Sequence, residues 1–244
     1  MRHYALIGKR LGHSFSKRYF SEKFLQEAID ASYSLIELDD ISNIVSIVRS
    51  DISLCGLNVT IPYKESVIDY LDEISPEAES VGAVNCIAIS NGKLMGYNTD
   101  VEGIRATFKR LNISPNTKAL ILGSGGAAKA VAYVLRQMGI PCSVVSRSEG
   151  IGDTTYAKLT NEIVASHKLI INTTPLGMYP DVDSCPDIDY SAIGGEHKLF
   201  DLVYNPSPTL FMRCGEERGA QVIGGLLMLE VQAEASWRVW QSGK

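Results

Sequence analysis

The stretch ALILGSGGAAKAVAYVL, residues 119–135, decides how this chain folds. It opens with four apolar residues, breaks at Gly123, passes through Ser124, Gly125 and Gly126, and turns at once into small residues at helical spacing. That is a strand, a glycine turn and a helix, in a Gly-x-Gly-Gly-x-Ala variant of the dinucleotide-binding fingerprint. Gly123 allows a tight turn, and Gly125 lets the backbone approach a pyrophosphate. Ala127 or Ala128 lets the helix pack close on the strand. A helix starting there offers free N–H groups and its positive dipole end to phosphate. The same residues could form a plain glycine-rich turn. The apolar run CSVVS, residues 142–146, supplies the next strand that a nucleotide site requires.

The end of that next strand bears on which nucleotide is bound. A site for NAD usually carries Asp or Glu there, to accept from the ribose 2′-hydroxyl. Here the residues are Ser146, Arg147 and Ser148. No acid repels a 2′-phosphate, and Arg147 can pair with one while the hydroxyls add hydrogen bonds. The expected cofactor is NADP(H). No second basic residue is evident beside Arg147, since Glu149 and Gly150 follow.

Working outward, short apolar runs alternate with helical periods. Strands are expected at 3–8, 32–38, 54–61, 168–173, 198–203 and 219–225. Helices are expected at 16–29, 40–50, 63–71, from Pro76, from Asp100 to Leu111, at 154–165, from Pro208 to Arg218, and at 226–240. The runs 83–89 and 93–98 flank Asn91-Gly92, which suits a type I′ hairpin turn. Leu229, Ala233, Trp237 and Trp240 are expected to share one face of the last helix. Strand–helix alternation predicts an α/β fold with mostly parallel sheets.

Composition sets limits on function. The 244 residues are 45% hydrophobic and 21% charged, with a net charge of −5, which argues against disorder and against broad phosphate neutralisation of a nucleic acid. The five cysteines, Cys55, Cys86, Cys142, Cys185 and Cys214, are each more than about 25 residues apart. They hold no zinc spacing, and they read as thiols of a reducing compartment. No apolar segment is long enough for a membrane span or a signal peptide, so a cytoplasmic protein is expected.

The first half gathers polar residues where strands end. Ser14 and Ser16 bracket Phe15 after the first strand. Asn58 and Thr60 share one side of the third, Pro62 stops it, and Lys64 is expected at a helix start. The positive end of a helix disfavours an ammonium, which would help Lys64 exchange a proton. Asn85 lies near the start of the hairpin's first run, and Asp100 follows the hairpin as an expected N-cap. Each has a plainer reading as a cap, a turn residue or a solvated amine. Together they describe a pocket for a small polyhydroxylated molecule.

These motifs resemble the shikimate dehydrogenase family. HSFS (13–16), NVTIPYK (58–64), GAVNC (82–86), GYNTD (96–100), LGSGGAAKAV (122–131), SRS (146–148), INTTPLGM (171–178), DLVYNPSPT (201–209) and GGLLMLEVQA (224–233) follow the family's order nearly end to end. The resemblance implies two lobes: an N-terminal α/β substrate domain over residues 1–100 and a Rossmann-like NADP domain over 101–223. A C-terminal helix, within 224–244, would pack back on the substrate domain. It implies reversible NADPH-dependent reduction of 3-dehydroshikimate to shikimate, a step of aromatic amino acid biosynthesis, with Lys64 and Asp100 as the catalytic pair. Ser14, Ser16 and Tyr204 would hold the ring carboxylate. Thr60, Asn85 and Gln232 would surround the ring hydroxyls, with Asn58 in support. Thr173, Met178 and Gly225 would join the glycine loop and Arg147 around the cofactor. No metal, nucleic acid or membrane partner is implied, and a monomer or homodimer is expected. His13 is expected to pack within its loop. A quinate dehydrogenase using NAD and a non-catalytic sensor are the competing readings. The chain departs from the family at Lys17, Lys168 and Leu210, and it is shorter between Arg147 and Ile170, where a trimmed helix–strand element is expected.

Overall fold

The computed structural model describes residues 1–12 and 14–242, so the reading of His13 lies outside the described residues. The chain divides into two compact units. One is Met1–Asp100 together with the chain from Gln232 on, and the other is Val101–Val231.

The first unit is built on β1 (Arg2–Gly8), α1 (Phe15–Gln26), β2 (Ala31–Glu37), α2 (Ile44–Ser50) and β3 (Leu54–Val59). It continues through β4 (Glu73–Ile74), α3 (Pro76–Val81), β5 (Cys86–Ser90) and β6 (Lys93–Tyr97). Its six strands lie in the order β2-β1-β3-β5-β6-β4. β1 runs parallel to both β2 and β3, whereas β5 is antiparallel to both β3 and β6. The β5–β6 hairpin turns at Asn91 and Gly92, both at positive φ (51° and 75°), as a type I′ turn demands. Alternation along β1 divides the core. Ala5 and Ile7 join an aliphatic cluster with Leu57, Val59, Ile87 and Leu94. Tyr4 instead meets an aromatic group that includes Phe24, Trp237 and Trp240.

The second unit follows from α4 (Asp100–Leu111), through β7 (Ala119–Leu122), α5 (Gly126–Gln137), β8 (Cys142–Ser146), β9 (Thr154–Thr155), α6 (Asn161–Ser166) and β10 (Leu169–Asn172). β11 (Lys198–Asp201), α7 (Leu210–Glu216), β12 (Gln221–Ile223) and the start of α8 (Leu226–Ser242) complete it. Its sheet is wholly parallel, in the order β12-β11-β10-β7-β8-β9. That is the doubly wound arrangement, and its order reverses between β7 and β10. Ligands bind such sheets outside the carboxyl ends of the strands at that switch point.

Three expected elements differ. The helix at 63–71 is absent: residues 61–65 form turns, and only a 3-10 helix, Ser66–Tyr70, follows. The segment is short and centred on β-branched Val67 and Ile68, with Val67 buried, so one tight turn anchors it. Lys64 therefore sits in a turn, and the argument from a helix dipole does not apply to it. The helix at 154–165 resolves into β9, a 3-10 turn at Tyr156–Lys158 and the six-residue α6, capped by Thr160. Finally, the buried stripe of α8 runs through Met228, Gln232, Ala233, Ala235, Ser236 and Trp240, leaving Leu229 and Trp237 partly exposed.

Candidate functional site

In the first unit, Lys64 and Asp100 meet. Lys64 Nζ lies 2.7 Å from Asp100 Oδ2, with the two side chains 17% and 5% exposed. The turn holding Lys64 is pinned on both sides. Val84 N–H donates to the Lys64 carbonyl at 2.7 Å, and Tyr63 N–H donates to the Thr60 carbonyl at 2.9 Å. Asp100 is itself the first residue of α4, and its carboxylate serves side chains: Asn85 Nδ2 donates to Oδ1 at 2.8 Å. Asn85 is locked in turn. Its other amide hydrogen goes to Thr99 Oγ1 at 3.0 Å, and its Oδ1 accepts the Thr99 backbone N–H at 2.7 Å. Gln232, on α8, approaches the same threonine, 3.5 Å from Thr99 Oγ1.

Asn58 is fully committed to the protein. It accepts from the Tyr33 hydroxyl at 2.8 Å and donates to the Asn85 carbonyl and to Ser236 Oγ. It shapes the site instead of reaching into it. Burial holds the Tyr33 phenol well above its usual pKa, with a hydrogen bond to Ser16 opposing the shift. Ser14 is the N-cap of α1, accepting from Lys17 N–H at 3.3 Å. A proline at position 17 could not make this bond, because proline has no N–H. Two hydroxyls at the start of a 12-residue helix suit a carboxylate. Thr60 follows β3, and its methyl leaves no room for a side chain at residue 8: a Cβ on Gly8 would fall 2.6 Å from Thr60 Cγ2.

In the second unit, the glycine turn stands at the switch point. Gly123 has φ +115°, and a Cβ there would fall 2.5 Å from Thr173 Oγ1 across the β7–β10 junction. Thr173 Oγ1 donates to the Leu122 carbonyl at 2.8 Å. A Cβ on Gly125 would meet no protein atom within 4 Å, so packing does not demand glycine there, whereas close approach of a phosphate would. Ala128 is the alanine buried against the sheet, and Ala127 is partly exposed. At the end of β8, Ser146 is buried with its hydroxyl turned to its own loop, bonded to the Ser148 carbonyl and accepting Ser148 N–H at 3.1 Å. Arg147 and Ser148 are exposed. Lys158 Nζ lies 2.8 Å from Glu149, which brings to this loop a second cation that was not evident in the sequence.

The family model for the shikimate dehydrogenase substrate binding domain matches residues 6–87. A shikimate dehydrogenase (NADP(+)) of Clostridium beijerinckii is 39% identical over 99% of this chain and 92% of its own. The chain belongs to the shikimate dehydrogenase family. Among solved structures of the family, shikimate dehydrogenase 1 from Peptoclostridium difficile superposes with a TM-score of 0.88 at 38% identity, covering 100% of this chain and 93% of that one. The Thermus thermophilus enzyme, in complex with NADP(H) and shikimate, gives 0.87 at 29% identity, covering 99% and 94%.

Within this family frame, the structure brings together Lys64, Asp100, Asn85 and Gln232, with Asn58 behind them. Tyr204 follows β11 in the other unit, and its part in carboxylate binding rests on the resemblance. Met178 is exposed after β10, and Gly225 packs where a Cβ would fall 2.2 Å from the Leu202 carbonyl. Thr99 and Ser236 join the network without having been singled out. Thr99 lay inside the quoted GYNTD motif. Ser236 stands four residues after Gln232, on the same face of a helix. No helix is long and apolar enough to cross a membrane, and no group of three His, Cys, Asp or Glu could hold a metal ion, among the described residues.

Proposed function

We propose that this protein catalyses the reversible NADPH-dependent reduction of the 3-dehydroshikimate carbonyl to shikimate. The observation that carries the reading is the Lys64–Asp100 pair, 2.7 Å apart within the unit that the substrate-domain model matches. NADPH, when bound, supplies the hydride. The Gly123–Gly126 turn, the start of α5 and Arg147 fit the charge and shape of its phosphates. Lys64, as an ammonium, stabilises the negative charge that grows on the carbonyl oxygen and gives that oxygen its proton. In the reverse direction a neutral Lys64 takes the hydroxyl proton. Asp100 keeps the amine in place through Oδ2, while Asn85 holds the carboxylate through Oδ1. Ser14 and Ser16 meet the ring carboxylate. Thr60 and Gln232 meet ring hydroxyls, and a hydroxyl approaching Asn85 would share the hydrogen it now gives Thr99. The likeness of the whole chain to NADP-dependent relatives supports the cofactor choice. The setting is aromatic precursor synthesis in the cytoplasm, with the protein acting as a monomer or homodimer.

Replacement of the amine tests the chemical role. Lys64→Ala is expected to lower kcat by about 10²-fold or more, the usual scale for a lost acid–base group, while calorimetry still detects shikimate binding. Turnover equal to wild type would remove Lys64 from the mechanism.

A further inference from the structure

Ser236 is fully buried, one turn beyond Gln232 on α8. Its hydroxyl donates to the Gln232 carbonyl at 2.9 Å and also lies 2.9 Å from Asn58 Nδ2 and 3.0 Å from Thr99 Oγ1. A hydroxyl has one hydrogen and two acceptor sites. With its hydrogen on the Gln232 carbonyl, Ser236 Oγ accepts from both Asn58 and Thr99. The Thr99 hydroxyl hydrogen is thereby aimed at Ser236, which leaves Thr99 Oγ1 to accept from Asn85 Nδ2 at 3.0 Å. Asn85 cannot turn over, because its Oδ1 already takes the Thr99 backbone N–H. Its remaining hydrogen falls on Asp100 Oδ1, and Asp100 Oδ2 takes Lys64.

We propose that Ser236 is a positioning residue for the Lys64–Asp100 pair, acting through Thr99 and Asn85. The buried chain donates both ways from Asn85, to Asp100 on one side and through Thr99 and Ser236 to the α8 backbone on the other, and Ser236 is the member that fixes the direction of the second arm. Without its hydroxyl, the Thr99 hydrogen turns, among the described residues, to Asn85 Oδ1 at 3.2 Å or Gln232 Oε1 at 3.5 Å, and Asn58 Nδ2 loses an acceptor. The Thr99 oxygen then turns its lone pairs away from Asn85 Nδ2, which loosens the aim of the other amide hydrogen at the carboxylate although the backbone bond to Oδ1 remains. Ser236 touches no reacting atom, so the loss belongs in kcat and not in substrate affinity. The inference rests on the reading that Lys64 and Asp100 carry the reaction.

The test is a double-mutant cycle on the full chain, with shikimate and NADP+. Ser236→Ala is expected to lower kcat about tenfold with KM for shikimate changed less than about twofold, and to have no further effect in an Asp100→Asn background, as expected for residues in one network. Thr99→Val interrupts the same chain from its other side. It is expected to give a similar loss that does not add to that of Ser236→Ala, and it serves as the test if Ser236→Ala fails to fold. An unchanged kcat in Ser236→Ala, or the same tenfold loss in the Asp100→Asn background, would overturn the proposal. Lys64→Ala separates the two levels. If it abolishes turnover while Ser236→Ala is silent, the positioning role alone fails. If Lys64→Ala is itself silent, the reading of the pair fails.

Discussion

A fully buried carboxylate must be held by donors or give up its charge. Asp201, at the end of β11, does some of each. Its oxygens accept from Asn172 Nδ2 at 2.9 Å, Val203 N–H at 3.0 Å and Thr209 Oγ1 at 2.6 Å. Burial still outweighs those bonds and pushes its pKa up to about 6. The cluster ties the loop after β10 to the loop after β11 and to the cap of α7. The sign of its pH dependence follows from the raised value. Between about pH 4 and 6 the folded protein keeps a proton that the unfolded chain releases, so stability falls as pH rises through that window and stays lower above it. From this group alone, moving from pH 7 to pH 5 is expected to stabilise the fold by about 1 kcal/mol, and Asp201→Asn is expected to remove that increment. Urea unfolding of both proteins at the two pH values checks it, and an identical pH response would contradict it. Asp201 stood inside a quoted motif, yet nothing in the sequence marked it as the buried member. Lys64 and Asp100 were legible because each ends a motif beside a strand. Ser236 was not, because its importance comes from Asn58 and Thr99, which lie 178 and 137 residues away.

At the scale of elements, α8 carries weight that its sequence only half discloses. Helical periodicity placed a buried face there, but the face is rotated to include Gln232 and Ser236. Trp240 is the apolar anchor of that face. Its ring stacks on Tyr4 at 4.7 Å and 27°, its Nε1 donates to the Ile87 carbonyl at 3.0 Å, and a Cβ on Gly56 would fall 2.3 Å from it. Trp240→Ala is expected to destabilise the fold by about 3–5 kcal/mol, the cost of a large core cavity. Denaturant midpoints at constant m-value measure this, and a loss below about 1 kcal/mol would show that the site collapses around the deletion. Long strands and helices with a clear period were legible from the sequence alone. The short pieces were not. A five-residue 3-10 helix or a two-residue strand is fixed by what it touches, such as buried Val67 or the edge of β8, and not by its own pattern.

For the whole molecule, one chain serves two compact units, entering the second at the start of α4 and leaving it within α8. Under the proposed function, a protein of net charge −5 would meet its anionic ligands with local groups: the starts of α1 and α5, Lys64 and Arg147. The loop after β8, with Ser146 buried, Arg147 and Ser148 exposed, no acid at residues 146–148 and Lys158 brought near, suits NADP over NAD. The deciding measurement is the steady-state oxidation rate with shikimate and with quinate, each with NADP+ and with NAD+. With shikimate, kcat/KM is expected to be about tenfold or more higher with NADP+ than with NAD+, a difference of roughly 1.4 kcal/mol that charge-assisted contacts to a 2′-phosphate readily supply, and with NADP+ shikimate is expected to turn over faster than quinate. Equal or faster turnover of quinate with NAD+ would contradict these expectations.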